Sequence, residues 1–331
     1  MNKVPVMATI EAAYGFAFGR FLTVLGVVWL PYLLLYGFIF GVPAALGTDF
    51  LDLMFSPFGG NPNPFAPWYM LGVRFLPWIA AAIIQVGVLE RALGIKTGPA
   101  LAYLSLGKPV WRMLGAWILA AIFFIIAIIV IAVIGGILIA IAALAASSNK
   151  LVMGLAIAVL VAAIVVTVFY FALRLFFLLG AVVVAEQRIG IERTVELSKG
   201  NVGRLFVIAL AIFIPVLIAE MILAAIFLAS AFPALSHLAH TLPAIQAGEG
   251  QNPFPQVMAH MSIMMHALLR ETGPYFYVLV AVGFLFRVLV IGLLAGAAAH
   301  AYRALVPPGA PEARTGPTPP AEPPPMQAAP A

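Results

Sequence analysis

Four charged residues stand inside long apolar stretches of this sequence, where a charge usually has a partner or a function. They are Arg74, Arg174, Arg287 and Glu220. Arg174 lies in the segment YFALRLFFLLG, residues 170–180, in which it is the only charged residue. An arginine deep in hydrocarbon costs about 2.5–3.5 kcal/mol on insertion scales, so it normally faces a partner, a cavity or the interface. These four side chains are therefore the first candidates for a functional site.

The spacing of the four residues places them in one layer of a membrane. At a helical rise of about 1.5 Å per residue, each lies about 18–24 Å from the charged residues at the far end of its apolar stretch. Arg74 is close to the aromatic Tyr69, which favours a side chain that reaches the headgroups. For Arg174 and Arg287 two interpretations stay open. One is a structural ion pair with Glu220, and the other is a net positive layer that binds an anionic lipid headgroup or another anion.

Histidines and methionines between residues 237 and 271 suggest a second chemistry, because thioether and imidazole groups suit copper. On a helical wheel, however, the methionines of 258–265 fall on one arc, with His260 and His266 opposite. This pattern favours an amphipathic helix at the outer surface over a metal site. His237 and His240, followed by Glu249, lack the acidic helical motif of a zinc site. The sequence therefore predicts no metal and no cofactor.

Composition decides the class of protein. Of 331 residues, 64% are hydrophobic and 9% are charged, against about 25% charged in an ordinary soluble domain. Several apolar stretches reach the roughly 20 residues that a helix needs to cross a bilayer, and they lack the polar alternation of a barrel strand. We predict an all-α polytopic membrane protein with six spans, near residues 21–40, 70–90, 113–146, 152–185, 204–230 and 275–303.

Basic residues at the ends of the spans predict the orientation. With the N-terminus in the cytoplasm, twelve of the 17 Lys and Arg residues fall inside and two, Lys150 and Arg270, fall outside. This is a strong positive-inside bias, which places both termini in the cytoplasm. The same distribution argues against nucleic acid as a partner, because the basic residues form no single patch. The third and fourth spans are longer than one crossing, so they must tilt, kink at Gly135–Gly136 or project outward.

Three segments share a plan in which small and polar residues lead through glycine and a basic residue into a span. They begin at residues 10, 98 and 191. They predict three tandem hairpins, about 10–95, 98–187 and 191–305, within one membrane domain of residues 1–305. We expect each lead-in segment to be an interfacial helix, the third ending at Gly200-Asn201. Residues 306–331 are rich in proline and alanine and predict a disordered cytoplasmic tail.

The stretch from 174 to 204 carries a family resemblance. Arg174, Glu186, Gly190 and Ser198 resemble the signature of the membrane domain attached to some bacterial glycerophosphoryl diester phosphodiesterases, which also occurs in stand-alone six-span membrane proteins. The resemblance implies a bacterial inner-membrane protein in which Glu186 and Ser198 join the lead-in helix to the span. The phosphodiesterase catalytic domain does not follow the spans here, so its activity is not implied.

These observations predict a non-enzymatic component of the inner membrane that binds membrane lipids, anionic lipids among them, or organises protein partners. The alternative is a transporter or export channel for an anionic or amphiphilic solute. Transport predicts a water-accessible path past Arg174 and Arg287, whereas a binding protein predicts a closed and dry core.

Overall fold

The computed structural model describes residues 2–48, 50–55, 63–98, 100–145, 150–241 and 254–306, and these ranges contain nine helices and no strand. In chain order the helices are α1 (Val6–Gly19), α2 (Phe21–Ala45), α3 (Phe50–Phe55), α4 (Ala66–Ala92), α5 (Lys108–Ala145), α6 (Lys150–Glu186), α7 (Ile191–Ser198), α8 (Val202–Thr241) and α9 (Phe254–Leu305). The tail from residue 307 lies outside the described residues.

Six of the helices are long and apolar enough to cross a membrane, which confirms the predicted number of spans. The candidate spans are Phe21–Ala45, Ala66–Ala92, Lys108–Ile141, Ile157–Glu186, Val202–Ser230 and Tyr277–Leu305. The protein is a polytopic helical membrane protein. Helix α5 has 38 residues and runs without interruption through Gly135 and Gly136, while α6 has 37. At about 1.5 Å per residue both exceed the bilayer's hydrocarbon thickness of about 30 Å.

One end of the bundle gathers the start of the chain and the ends of its return helices. Asn201, before α8, accepts a hydrogen bond from the backbone N–H of Val4 at 3.1 Å. Thr9 of α1 contacts His300 near the end of α9 at 3.0 Å. Arg112 of α5 donates to Gln187, which follows α6, at 2.9 Å. We call this end the terminal face.

The hydrophobic core lies near the terminal face. It joins α1, the first half of α2, the last half of α4, the start of α5 and α8, and the ends of α6 and α9. In the spanning windows of α5 and α6 only 6% of residues are buried, against 33% in α2 and 39% in α4. Apolar side chains from Ile118 to Ile141 on α5 and from Leu151 to Tyr170 on α6 are therefore largely exposed to the surroundings.

Small residues permit the closest contacts in this core. A Cβ atom added at Gly292 or Gly296 of α9 would lie 3.2 or 3.1 Å from the Cα atoms of Ala17 and Ala13 on α1. Both pairs are four residues apart, the spacing that lets membrane helices approach through a small-residue seam. The short helix α1 is therefore packed against α9 as part of the bundle.

The lead-in segments differ from one another. Segments one and three form the helices α1 and α7, but residues 100–107, in the second, are not helical, which corrects the expectation of three lead-in helices. The backbone there crosses α2 so closely that a Cβ atom at Gly26 would lie 1.7 Å from the carbonyl oxygen of Ala100. Trp29 of α2 donates to the carbonyl of Leu101 at 2.7 Å. In residues 100–107, contacts with α2 such as this hydrogen bond thus take the place of the hydrogen bonds that a helix would form within itself.

Helix α7 has the amphipathic character that the sequence predicts. Thr194, Leu197 and Ser198 are buried, whereas Glu192 and Glu196 are exposed. The helix ends where predicted, since Gly200 has a positive φ of 74°, a left-handed conformation that glycine adopts without a steric penalty. Helix α9 has a break of its own at Gly273, with φ 48° and ψ −133°. The break separates the histidine- and methionine-rich helix from the sixth span.

Candidate functional site

Glu186, the last residue of α6, is the centre of a polar cluster on the terminal face. One carboxylate oxygen lies 2.6 Å from a guanidinium nitrogen of Arg188, and the other lies 3.2 Å from Nε of Arg193 on α7. The hydroxyl of Tyr302 on α9 donates to the same carboxylate at 3.2 Å. Glu186 therefore joins α6, α7 and α9 through contacts of its side chain.

Gly190 and Ser198, which also belong to the family resemblance, make contacts that hold α7 in place. Gly190 packs so closely that an added Cβ atom would lie 2.3 Å from a side-chain carbon of Val182. The buried hydroxyl of Thr194 donates to the carbonyl of Gly190 at 2.8 Å. Ser198 is fully buried and donates to the carbonyl of Val195 at 3.0 Å. These contacts fix α7 against α6.

A second carboxylate, Glu90, occupies the corresponding place at the end of α4, and sequence reasoning missed its cluster. Glu90 is 6% exposed, and its carboxylate lies 2.8 Å from Nζ of Lys96 and accepts the hydroxyl of Tyr103 at 3.1 Å. A left-handed turn at Gly94, with φ 77°, brings the chain back so that Lys96 reaches Glu90. The pairing depends on this turn and on the extended segment, and neither has a periodic signal in the sequence.

Tyr103 titrates far from its ordinary range. Burial raises the pKa of its hydroxyl to about 12, and the neighbouring carboxylate of Glu90 adds to the increase. The phenol therefore remains protonated and donates to Glu90 at any physiological pH.

Arg174 is half-buried, at the edge of an apolar cavity between α5, α6 and α7. Its guanidinium donates to the hydroxyl of Tyr170 at 3.2 Å and to the carbonyl of Val195 at 3.5 Å. Its Nε is buried and has no hydrogen-bond partner. The cavity has a volume of about 340 Å³, and Arg174 is the one charged residue among its lining side chains. The other lining residues include Phe123, Phe171 and Ile191.

One of the two open interpretations was an ion pair of Glu220 with Arg174 or Arg287, and no such pair forms among the described residues. Glu220 is exposed, although it continues the buried stripe of α8 that contains Ile208, Ile212 and Val216. The core ends at Val216, and Glu220 lies one turn beyond it. The sequence gives the depth of Glu220 along its span, but only the packing decides where the buried stripe of α8 loses its neighbours.

Arg74 and Arg287 are exposed as well. Arg287 lies close enough to Tyr32 of α2 for its charge to act on that hydroxyl. None of the described ion pairs includes Arg74 or Arg287. Of the four residues in the predicted layer, Arg174 is therefore the one that combines burial, an incomplete set of hydrogen bonds and a cavity.

The candidate metal ligands of the sequence analysis lie in the segment from residue 237 to residue 271. The side chains of His237, His240, His260 and His266, and Glu249 with its loop, lie outside the described part of the structure. Among the residues that are described, no group of three or more His, Asp or Glu side chains is arranged to hold a metal ion.

No family model matches this chain, and no curated protein or solved structure gives a significant match. The resemblance to the membrane domain of glycerophosphoryl diester phosphodiesterases therefore stays a prediction.

Proposed function

We propose that this protein binds an anionic amphiphile, a lipid or lipid-like molecule, in the cavity beside Arg174. It would act in the bacterial cytoplasmic membrane as a lipid-binding or membrane-organising component and not as an enzyme. The observation that carries the proposal is a guanidinium with a buried, unpartnered Nε at the edge of an otherwise apolar cavity.

The hydrogen bonds of Arg174 leave most of its capacity free. A guanidinium has five N–H donors, and Arg174 uses two of them, one at the long distance of 3.5 Å. Its guanidinium carbon lies 5.9 Å from the ring centroid of Tyr170, which supplies a weak cation–π contact. No carboxylate of the described residues forms an ion pair with Arg174. A bound anion would supply the missing negative charge and acceptor atoms.

The rest of the cavity suits a hydrocarbon chain. Its lining combines the phenylalanines of α5 and α6 with Ile191 and Val195 of α7. Ligand cavities of this kind are mostly apolar, with a small number of polar groups that fix the orientation of the ligand. An acyl chain beside the aromatic rings with its anionic group against Arg174 satisfies both parts of the site.

The apolar lining favours lipid binding over transport of an anion. A transport path needs a series of polar side chains or water along its length, whereas this cavity offers one charged group. The neighbouring parts of α5 and α6 are exposed, so a ligand can enter from the bilayer without passing through the core.

Charge distribution supports an orientation with the terminal face in the cytoplasm. Arg20, Arg91, Arg188 and Arg303 all belong to that face or to the segments next to it, and basic residues flank spans mainly on the cytoplasmic side.

The experiment compares lipids retained by the full chain after purification in mild detergent, measured by native mass spectrometry. We expect the wild type to retain an anionic lipid and Arg174→Gln to lose it by about tenfold or more, the effect of one charge-assisted hydrogen bond. Arg74→Gln is the matched control, since it removes an arginine from a span at an exposed position. Equal retention by the wild type and Arg174→Gln would overturn the proposal.

A further inference from the structure

Three arginines from different parts of the chain line one cavity on the terminal face. Arg20 lies between α1 and α2, Arg91 is in the last turn of α4 and Arg303 is in the last turn of α9. The cavity has a volume of about 290 Å³, and its other lining residues are Gly15, Phe16, Ala92 and Gly94. We propose that these arginines form a binding site for a phosphate group. The site is separate from the Arg174 cavity, and it does not depend on the function proposed there.

Among the described residues, no acidic side chain pairs with any of the three arginines. None of them forms an ion pair in the described structure. Glu90 is next to Arg91 in sequence, but its carboxylate binds Lys96 and Tyr103. Glu11, one turn before Gly15 on α1, is exposed and has no cation within ion-pairing distance. The described residues that line this cavity therefore include three arginines and no carboxylate.

Two contacts within the protein orient the guanidinium of Arg91. One guanidinium nitrogen donates to the carbonyl of Gly87 at 2.9 Å, and the guanidinium carbon lies 5.3 Å from the ring centroid of Tyr103. Its Nε is buried and has no partner. The bond to Gly87 and the aromatic ring orient Arg91 from within the protein, and its other donors are not used by the described residues.

Location on the cytoplasmic face explains why these residues are basic, but it does not explain why they converge. An arginine in the last turn of a helix interacts favourably with the helix dipole, and this accounts for Arg91 and Arg303 individually. Neither Arg20 nor Arg303 makes a side-chain hydrogen bond or ion pair in the described structure. Like charges around one cavity repel one another, although solvent weakens this between the exposed Arg20 and Arg303, and an anion shared between the three arginines would be attracted by all of them.

The chemistry of the site fits a phosphate group better than a carboxylate. Phosphate presents several oxygens to arginine forks at once, and arginine is the residue that binds it with paired hydrogen bonds. Helix α2 begins directly after Arg20, so the positive end of its dipole adds to the local field. A phosphate of either an anionic phospholipid headgroup or a soluble molecule has the required net charge and shape, whereas the phosphate of phosphatidylcholine is balanced by its own choline.

The test uses the full chain in phosphatidylcholine nanodiscs. One arm adds inorganic phosphate at constant ionic strength, and the other replaces part of the phosphatidylcholine by phosphatidylglycerol. The melting temperature is measured in both, because a ligand that binds the folded state raises it. We expect the melting temperature of the wild type to rise in at least one arm. A rise with inorganic phosphate identifies a soluble phosphate as the source, and a rise with phosphatidylglycerol identifies a lipid headgroup.

Arg20→Gln and Arg303→Gln remove exposed side chains and should leave the fold intact. Each is expected to raise the ligand concentration needed for half of the response by about tenfold, the effect of one lost charge-assisted hydrogen bond. Lys199→Gln, which removes an exposed charge near the same face, is the matched control and should respond as the wild type does. The proposal is overturned if the wild type responds in neither arm, or if Lys199→Gln loses as much affinity as Arg303→Gln.

Discussion

Tyr302 donates a hydrogen bond of 3.2 Å to Glu186, a residue 116 positions earlier in the chain. The same carboxylate oxygen lies 3.2 Å from Arg193 of α7. This arrangement ties the end of the last span to the junction of α6 and α7. It makes Glu186 a structural residue of the terminal face, with each of its oxygens occupied by donors from the protein itself.

Glu186→Gln should therefore destabilise the protein. An amide cannot form the ion pairs with Arg188 and Arg193, and removal of a charged partner from a largely buried cluster costs about 1–3 kcal/mol. Thermal unfolding of the purified protein in detergent measures the change. Glu196→Gln is the control, because Glu196 is 66% exposed in its pair with Arg193, and exposed pairs contribute about 0–1 kcal/mol. Equal melting temperatures for the two variants would contradict the structural role.

Gly26→Ala should lower the melting temperature more than Glu186→Gln does. The new Cβ atom would lie 1.7 Å from the carbonyl oxygen of Ala100, and backbone atoms can yield only if the segment after Gly98 moves away from α2. Overpacking in a close contact costs about 1–3 kcal/mol and occasionally more. Gly41→Ala on the same helix meets nothing within 4 Å and should be neutral or slightly stabilising. The comparison is made by melting temperature, and a tolerated Gly26→Ala would show that this crossing is loose.

Alkaline pH should weaken the cluster at Glu90. The pKa of Tyr103 is raised from about 10 to about 12, so the stabilisation from the protonated phenol is complete below about pH 10 and is lost as the pH rises through 12. The measurement is melting temperature against pH from 9 to 12 for the wild type and Tyr103→Phe. The phenylalanine variant should show a smaller decline, because it has no phenol to ionise at this position. Parallel curves would argue against the assigned pKa.

The orientation can be tested with single cysteines, because the natural chain contains none. Lys199→Cys is exposed on the terminal face, and Ser148→Cys lies in the connection between α5 and α6. In intact cells a membrane-impermeant maleimide should label Ser148→Cys, and it should label Lys199→Cys only after permeabilisation. The reverse pattern would place the terminal face outside and would contradict the positive-inside argument.

The Arg174 cavity and the three-arginine cavity show different limits of sequence reasoning. The depth of a residue along a span can be counted from the sequence. This count is the reason why Arg174 and Glu220 were expected to lie in one layer. The direction of a side chain around its helix, and the point at which a neighbouring helix separates from it, cannot be counted in this way. As a result the sequence left open whether Arg174 pairs with Glu220, and the structure places Arg174 beside Val195 of α7.

Arg20, Arg91 and Arg303 were identified from the sequence only as signals of orientation. They are far apart in the chain, and each lies at or next to the end of a different span. Their convergence depends on the packing of α1 against α9 through small residues and on the neighbouring position of α4. No periodic pattern within a single segment contains that information.

The sequence by itself determined the helical membrane class, the six spans and the amphipathic form of α7. Those features follow from local quantities, since the length of an apolar stretch and the periodicity of its polar residues act within one segment. Only the tertiary structure decided which charges meet, where the core ends and which lead-in segment is extended. These outcomes depend on contacts between residues far apart in the chain, such as Val4 with Asn201, 197 positions apart, and Thr9 with His300, 291 positions apart. Such contacts are set by the way the helices pack as a whole.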